Sequence, residues 1–234
     1  MKILGIDSSG LVATVAIVED DNMMAEYTVN YKKTHSQTLL PMLDEISKMI
    51  ELDMGTVDAV AVAAGPGSFT GLRIGSATAK GLGLALKKPL VSIPTVDALA
   101  YNLWGTEKLV CPMMDARRNQ VYTGIYTFEK DELKVLEGQM AVSVEEMIEK
   151  LNELGQHVIF LGDGVPVYRE IIEQTARIPY SFAPAHLNKQ RAGAVASLAF
   201  HYLREGKTIA ASAFQPNYLR LSQAERERAE KENR

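Results

Sequence analysis

Along the first hundred positions the apolar residues fall into blocks whose period changes. An apolar run from Ile3 to Ile6 ends in Asp7, Ser8 and Ser9, the pattern of a buried strand that delivers polar groups at its end. LVATVAIVED follows, then the turn Asp20-Asp21-Asn22 and a third run, MMAEYTVNY. Three strands joined by tight turns predict an antiparallel meander. After His35 the period becomes helical: Leu39, Met42, Leu43, Ile46, Met49 and Ile50 form one stripe, with Pro41 expected in the first turn or at a kink. VDAVAVAAG is a fully apolar strand, PLVSIP a shorter one, and TVDALAYNLW a helix with Thr95 as its expected cap.

A second copy of this order starts near Leu109. LVCPMMDARRNQVYTGIYTFEKDELKVLEGQMAV again gives an apolar strand ending in an aspartate, a polar turn and two further strands, with Asp115 matching Asp7. VSVEEMIEKLNELG predicts a helix, HVIFLGDG a buried strand, VYREIIEQTA a helix, and NKQRAGAVASLAFHYLREG a long last helix stopped by Gly206. The expected domains are 1–104 and 105–221, the last helix packing back on the first lobe, followed by a charged tail, 222–234. The expected class is α/β: a duplicated actin-like ATPase (ribonuclease H-like) fold, each lobe a mixed sheet flanked by helices.

Composition narrows the function classes. A chain of 234 residues with 47% hydrophobic and 23% charged residues can bury a real core, and a net charge of -4 gives no electrostatic reason for direct binding to nucleic acid or an anionic membrane. The single cysteine, Cys111, lies in an apolar run and reads as a buried thiol in a reducing compartment. No apolar run approaches the roughly 18 to 20 residues of a membrane span, and the start MKILGIDSSG lacks a signal-peptide core, so the cytoplasm is the expected location and no membrane partner is expected.

In actin-like ATPases and the sugar and acetate kinases among them, the turn after the first strand of each half approaches phosphate. Asp7, Ser8, Ser9 and Asp115 are therefore candidate phosphate-facing or metal-facing residues, with Gly65 and Gly67 beside them. The alternative is that both aspartates end strands and accept hydrogen bonds from turn amides. The stretch from Ala63 to Gly83 holds six glycines, yet it has no Gly-Lys-Ser/Thr for a P-loop, its Gly65 to Gly71 spacing is one residue too long for a dinucleotide fingerprint, and Pro66 removes an amide donor. Gly71, Gly75, Ala79 and Gly83 instead recur every four residues, which on a helix makes a groove free of large side chains. Each interior glycine costs about 1 kcal/mol against alanine, so a close backbone approach must offset them. That approach is either within the chain, on its own sheet or first helix, or to another molecule.

Metal and nucleophile patterns are absent. A His-x-x-x-His site starting at His35 meets Leu39, and His157, His186 and His201 stand singly. Ser68 in GPGSFTG does not have the spacing of a G-x-S-x-G nucleophile elbow.

IDSS, HSQTLLPML, AAGPGSFTGLRIG followed by AKGL, DAR after the second-half strand, and QPNYLR together resemble the TsaB (YeaZ) family, in the wider group that contains TsaD and the Kae proteins. The resemblance extends to about Leu221. It implies a role in threonylcarbamoylation of the adenosine just after the anticodon in tRNAs that read codons beginning with A, as a non-catalytic scaffold that heterodimerises with TsaD, with the ATPase TsaE completing the complex. It implies contact with tRNA only indirectly, no cofactor bound by this chain alone, and ATP and metal in the partner subunits. The family's dimer uses the first two helices. On them lie Leu39, Met42, Leu43, Ile46 and Ile50, and Gly71, Leu72, Gly75, Ala79, Leu82 and Gly83, the expected partner-interface residues; Asp7, Ser8, Ser9, Gly65, Gly67 and Asp115 would then be vestigial nucleotide-facing positions. A homodimer is expected for the isolated chain. A peptidase-like hydrolase of the glycoprotease type and an actin-like small-molecule kinase are the alternative functions.

Overall fold

The computed structural model describes residues 1–31 and 34–220. The charged tail expected at 222–234 lies outside the described residues.

The first sheet has the order β3-β2-β1-β4-β5, built from β1 (Lys2–Asp7), β2 (Ala13–Glu19), β3 (Asn22–Val29), β4 (Ala59–Gly65) and β5 (Leu90–Pro94). The predicted meander pairs antiparallel, and β4 and β5 add in parallel on the other side of β1. Parallel addition requires crossover connections, which α1 (His35–Met49) and α2 (Phe69–Leu86) provide. The second sheet repeats the plan as β10-β9-β6-β7-β8, from β6 (Leu109–Asp115), β7 (Gln120–Glu129), β8 (Glu132–Ser143), β9 (Val158–Leu161) and β10 (Tyr180–Phe182), with α4 (Val144–Leu154) and α5 (Gly164–Thr175) as its helices. The short strand β10 has no counterpart in the sequence pattern.

The structure adjusts two local expectations. Pro41 lies in the second turn of α1, on its exposed face, where the carbonyl left without an amide partner is open to water. Thr95 is the first residue of α3 (Thr95–Tyr101) rather than its cap; its hydroxyl accepts a hydrogen bond from the Gly65 amide at 3.1 Å and ties the end of β4 to the start of that helix.

Several contacts join the two halves. Helix α6 (Ala192–Arg204) crosses back to the first sheet, burying Val195, Ala196, Leu198 and Ala199 against Ile3, Val18, Ala59 and Ala61. Arg191 at its start bonds Glu26 of β3 through Nε at 3.0 Å and Nη2 at 2.6 Å. Helix α3 packs on strands of both sheets, and the Tyr126 hydroxyl of β7 donates to Asp97 Oδ1 of α3 at 2.7 Å. Burial raises the pKa of both groups, which keeps the phenol protonated as donor.

Candidate functional site

A cleft of about 300 Å³ opens between the two sheets, at the ends of β1 and β6. Its walls are the β1–β2 turn (Ser9, Gly10, Leu11), the start of α2 (Gly67, Ser68, Phe69), the β6–β7 turn (Asp115, Ala116, Arg117), and Asp163 and Arg220. Sequence reasoning placed Asp7 and Asp115 at equivalent turns, and the structure shows them making equivalent bonds. Asp7 Oδ1 accepts from the Ser9 amide at 2.8 Å and its hydroxyl at 2.6 Å. Asp115 Oδ1 accepts from the Arg117 amide at 2.8 Å and the Tyr168 hydroxyl at 2.9 Å. Both aspartates therefore close their own turns, as an Asx-type side chain does.

The first turn is also locked from outside. Ser8 Oγ donates to the Gly71 carbonyl at 2.9 Å, the Ser68 amide donates to the Ser9 carbonyl at 2.7 Å, and His35 Nε2 donates to the Gly10 carbonyl at 2.8 Å. Asp7 is 1% exposed, and burial pushes its carboxyl from the usual 3.8 up to about 6, against the opposing pull of the Ser9 bonds. The second turn is more open. Asp115 is half-buried beside exposed Arg117, and Asp163, held above its ordinary pKa by burial, accepts the Asp115 amide at 3.2 Å. Asp163 and Tyr168 were not among the residues singled out from the sequence, because no local motif marks them; Arg220 lies within QPNYLR, but nothing in that motif places it at the cleft.

The expected contact groove on α2 needs correction. A Cβ at Gly71 would meet the Ser8 carbonyl oxygen, one at Gly75 the Ser8 hydroxyl, and one at Gly83 the Leu90 side chain, while Ala79 and Leu72 are buried. The groove receives the chain's own β1–β2 turn and β5, so it offers no free surface. Leu39, Met42, Leu43 and Ile46 are likewise buried, in the core against Leu4, Ile6, Val15 and Val62, with half-buried Ile50 and Leu82 packed beside them. The apolar stripe of α1 faces inward because the first sheet needs a cover on that side. The outward faces of the two helices carry other residues: Leu40 and Met49 on α1, and Ala77, Gly81, Leu84 and Ala85 on α2, all exposed. A Cβ at Gly81 would meet nothing within 4 Å.

Gly65 and Gly67 are also occupied from within. Gly65 has φ of 120°, and the Asn217 carbonyl lies where a side chain would be; at Gly67 the Ser9 carbonyl does. Asn217 belongs to QPNYLR. That segment runs beside the start of α2: the Asn217 amide donates to the Ala64 carbonyl at 2.6 Å, Tyr218 stacks on Phe69, and Arg73 Nε donates to the Tyr218 hydroxyl at 3.4 Å. Arg220 then donates to the Ala116 carbonyl at 2.6 Å, on the other wall of the cleft.

Among the described residues no group of three or more His, Cys, Asp or Glu side chains is placed to hold a metal ion, and no helix is long and apolar enough to cross a membrane.

Two duplicated mixed sheets, with a cleft at the ends of their first strands, define the actin-like, ribonuclease H-like class of fold. An inorganic polyphosphate/ATP-glucomannokinase from Arthrobacter shares this fold at a TM-score of 0.51 and 14% identity, over 86% of this chain and 99% of that one. The family model for TsaD, tRNA N6-adenosine threonylcarbamoyltransferase, matches residues 22–228. The tRNA threonylcarbamoyladenosine biosynthesis protein TsaB of Bacillus subtilis is 31% identical over 225 residues, 96% of each chain. YeaZ from Pseudomonas aeruginosa superposes with a TM-score of 0.79 at 26% identity, over 93% of this chain and 99% of that one. The chain belongs to the TsaB (YeaZ) family.

Proposed function

We propose that this chain serves tRNA threonylcarbamoylation as a non-catalytic subunit that heterodimerises with TsaD, in a complex completed by the ATPase TsaE. ATP, metal and tRNA chemistry then reside in the partners. The observation that carries the reading is the closed β1–β2 turn. In a phosphate-binding turn the aspartate and hydroxyls must face a ligand, whereas here Asp7 is buried and Ser8 and Ser9 bond within the chain to Gly71 and Asp7.

The outward faces of α1 and α2 are the proposed contact, with the same surface pairing two copies in the isolated protein. Gly71, Gly75 and Gly83 are each required by a close intrachain approach, but Gly81 is not. A glycine at an open helical position costs about 1 kcal/mol with nothing inside the chain to offset it. With Ala77 and Ala85 four residues to either side, it leaves a smooth strip against which a partner helix can lie close.

Reconstitution of tRNA modification with each component omitted in turn tests the reading. Modification is expected to require this chain together with TsaD, and the chain alone is expected to yield none. Full modification in its absence refutes the proposal. Micromolar ATP binding by the chain alone refutes the non-catalytic part and favours a kinase.

A further inference from the structure

We propose that the C-terminal segment Phe214–Arg220 is a latch that spans the interlobe cleft and sets its width. The segment is anchored on the first lobe at three levels. Phe214 is 1% exposed in that lobe's core, and its carbonyl accepts from Lys80 Nζ of α2 at 3.2 Å. The Asn217 amide bonds Ala64 at the end of β4, and Gly65 is bare where the Asn217 carbonyl crosses it. Tyr218 lies flat on Phe69, with ring centroids 4.6 Å apart and planes 7° from parallel.

The next two residues change lobes. Leu219 packs on the apolar cluster in which Met114, Ala116 and Tyr122 of the second lobe meet Val96 and Leu99 of α3, and the Arg220 guanidinium takes the second lobe's Ala116 carbonyl in a charge-assisted bond of 2.6 Å. Ala116 and Phe69 are opposite walls of the same cleft, which Arg220 also lines. A chain fixed to one wall by stacking and backbone bonding, and to the other by an apolar contact and a charged donor, resists their separation. Helix α3 also joins the lobes, but through buried packing shared by both sheets, whereas the latch acts at the cleft itself and rests on two consecutive side chains. A contact of that size can be released without unfolding either lobe.

The test is an interlobe distance measured in the full chain. Spin labels on Lys48→Cys of α1 and Glu149→Cys of α4, both exposed, report the separation of the lobes, while Cys111 is fully buried and stays unlabelled. Labelled chain is diluted into unlabelled chain so that only intrachain distances are read. With the latch intact a single narrow distribution is expected. Arg220→Met, which keeps an unbranched apolar stem and removes the donor, is expected to broaden it and shift it to longer distance. Leu219→Ala should act in the same direction, and the double variant should go further than either. Tyr218→Ala removes the first-lobe anchor and should produce the same shift, although Tyr218 sits on the α2 side. Thermal melting monitored by circular dichroism confirms that each variant is folded. Unchanged distributions in folded Arg220→Met and Leu219→Ala chains overturn the latch, as does an unchanged distribution in the double variant.

Discussion

The rings of Tyr218 and Phe69 lie face to face at 4.6 Å, and they belong to the two motifs that most distinguish this sequence, QPNYLR and GPGSFTG. A stacked aromatic pair contributes about 0.5 to 1.5 kcal/mol beyond its area burial. Tyr218→Ala is expected to lower the free energy of unfolding by about 1 to 2 kcal/mol in urea titration, since Tyr218 is only partly buried. Tyr218→Phe keeps the stack and loses only the long 3.4 Å contact with Arg73, so it should stay within about 0.5 kcal/mol of the parent. Equal losses for both variants would show that the hydroxyl, and not the stack, holds the segment.

Two glycines on α2 should respond oppositely to the same change. At Gly71 an added methyl runs into the Ser8 backbone carbonyl, which the Ser8 and Ser9 bonds hold in place. Gly71→Ala is expected to destabilise by about 1 to 3 kcal/mol, as overpacking does. At Gly81 the methyl enters open space on the exposed face, so Gly81→Ala should stabilise the isolated chain by up to about 1 kcal/mol through helix propensity alone. Thermal denaturation of the two variants side by side checks both signs.

The duplicated order of strands and helices was legible because period 2, period 3.6 and fully apolar runs each leave a local signature. The three-residue β10 is too short to leave one. The α1 and α2 stripes were legible as stripes, but periodicity reports only that a face is apolar or small. It does not say what covers that face, and here the covering surface is the β1–β2 turn and the first sheet. Asp7 and Asp115 stood out because they end equivalent strands. Arg220 and Tyr218 gave no local clue to their partners, since the contacts with Ala116 and Phe69 join residues far apart in the chain and involve no periodic pattern.

Asp7 predicts a pH dependence. Its folded pKa of about 6 lies above the unfolded value near 3.8. A carboxyl raised on folding binds its proton more tightly in the native state. Its contribution is therefore present below the unfolded pKa and is lost as pH rises through the folded one. Ionisation of this buried group should cost the native state about 2 to 3 kcal/mol across that window. Asp7→Asn keeps an oxygen acceptor for Ser9 and does not titrate. Unfolding free energies measured between about pH 4 and pH 7 should therefore show the variant gaining about 2 to 3 kcal/mol relative to the parent as pH rises. A pH-independent difference would mean that Asp7 does not titrate in this range.

Core and outward residues of the helix pair separate folding from docking. Leu43 of α1 is buried against the first sheet, so Leu43→Ala should cost about 2 to 4 kcal/mol of stability and weaken any complex only by depleting folded chain. Ala77 and Leu84 of α2 are exposed, and replacing both with glutamate should leave the stability of the isolated chain within about 1 kcal/mol. If the outward face of α2 is the TsaD contact, the same double variant buries two unpaired carboxylates in an apolar seam, and affinity should fall at least tenfold in co-elution and titration. Self-association of the isolated chain should weaken in parallel, since the proposal assigns it the same surface. Retention of TsaD binding by the glutamate variant would move the contact off this face, and the first place to look would be the cleft edge formed by Leu11 and Arg117.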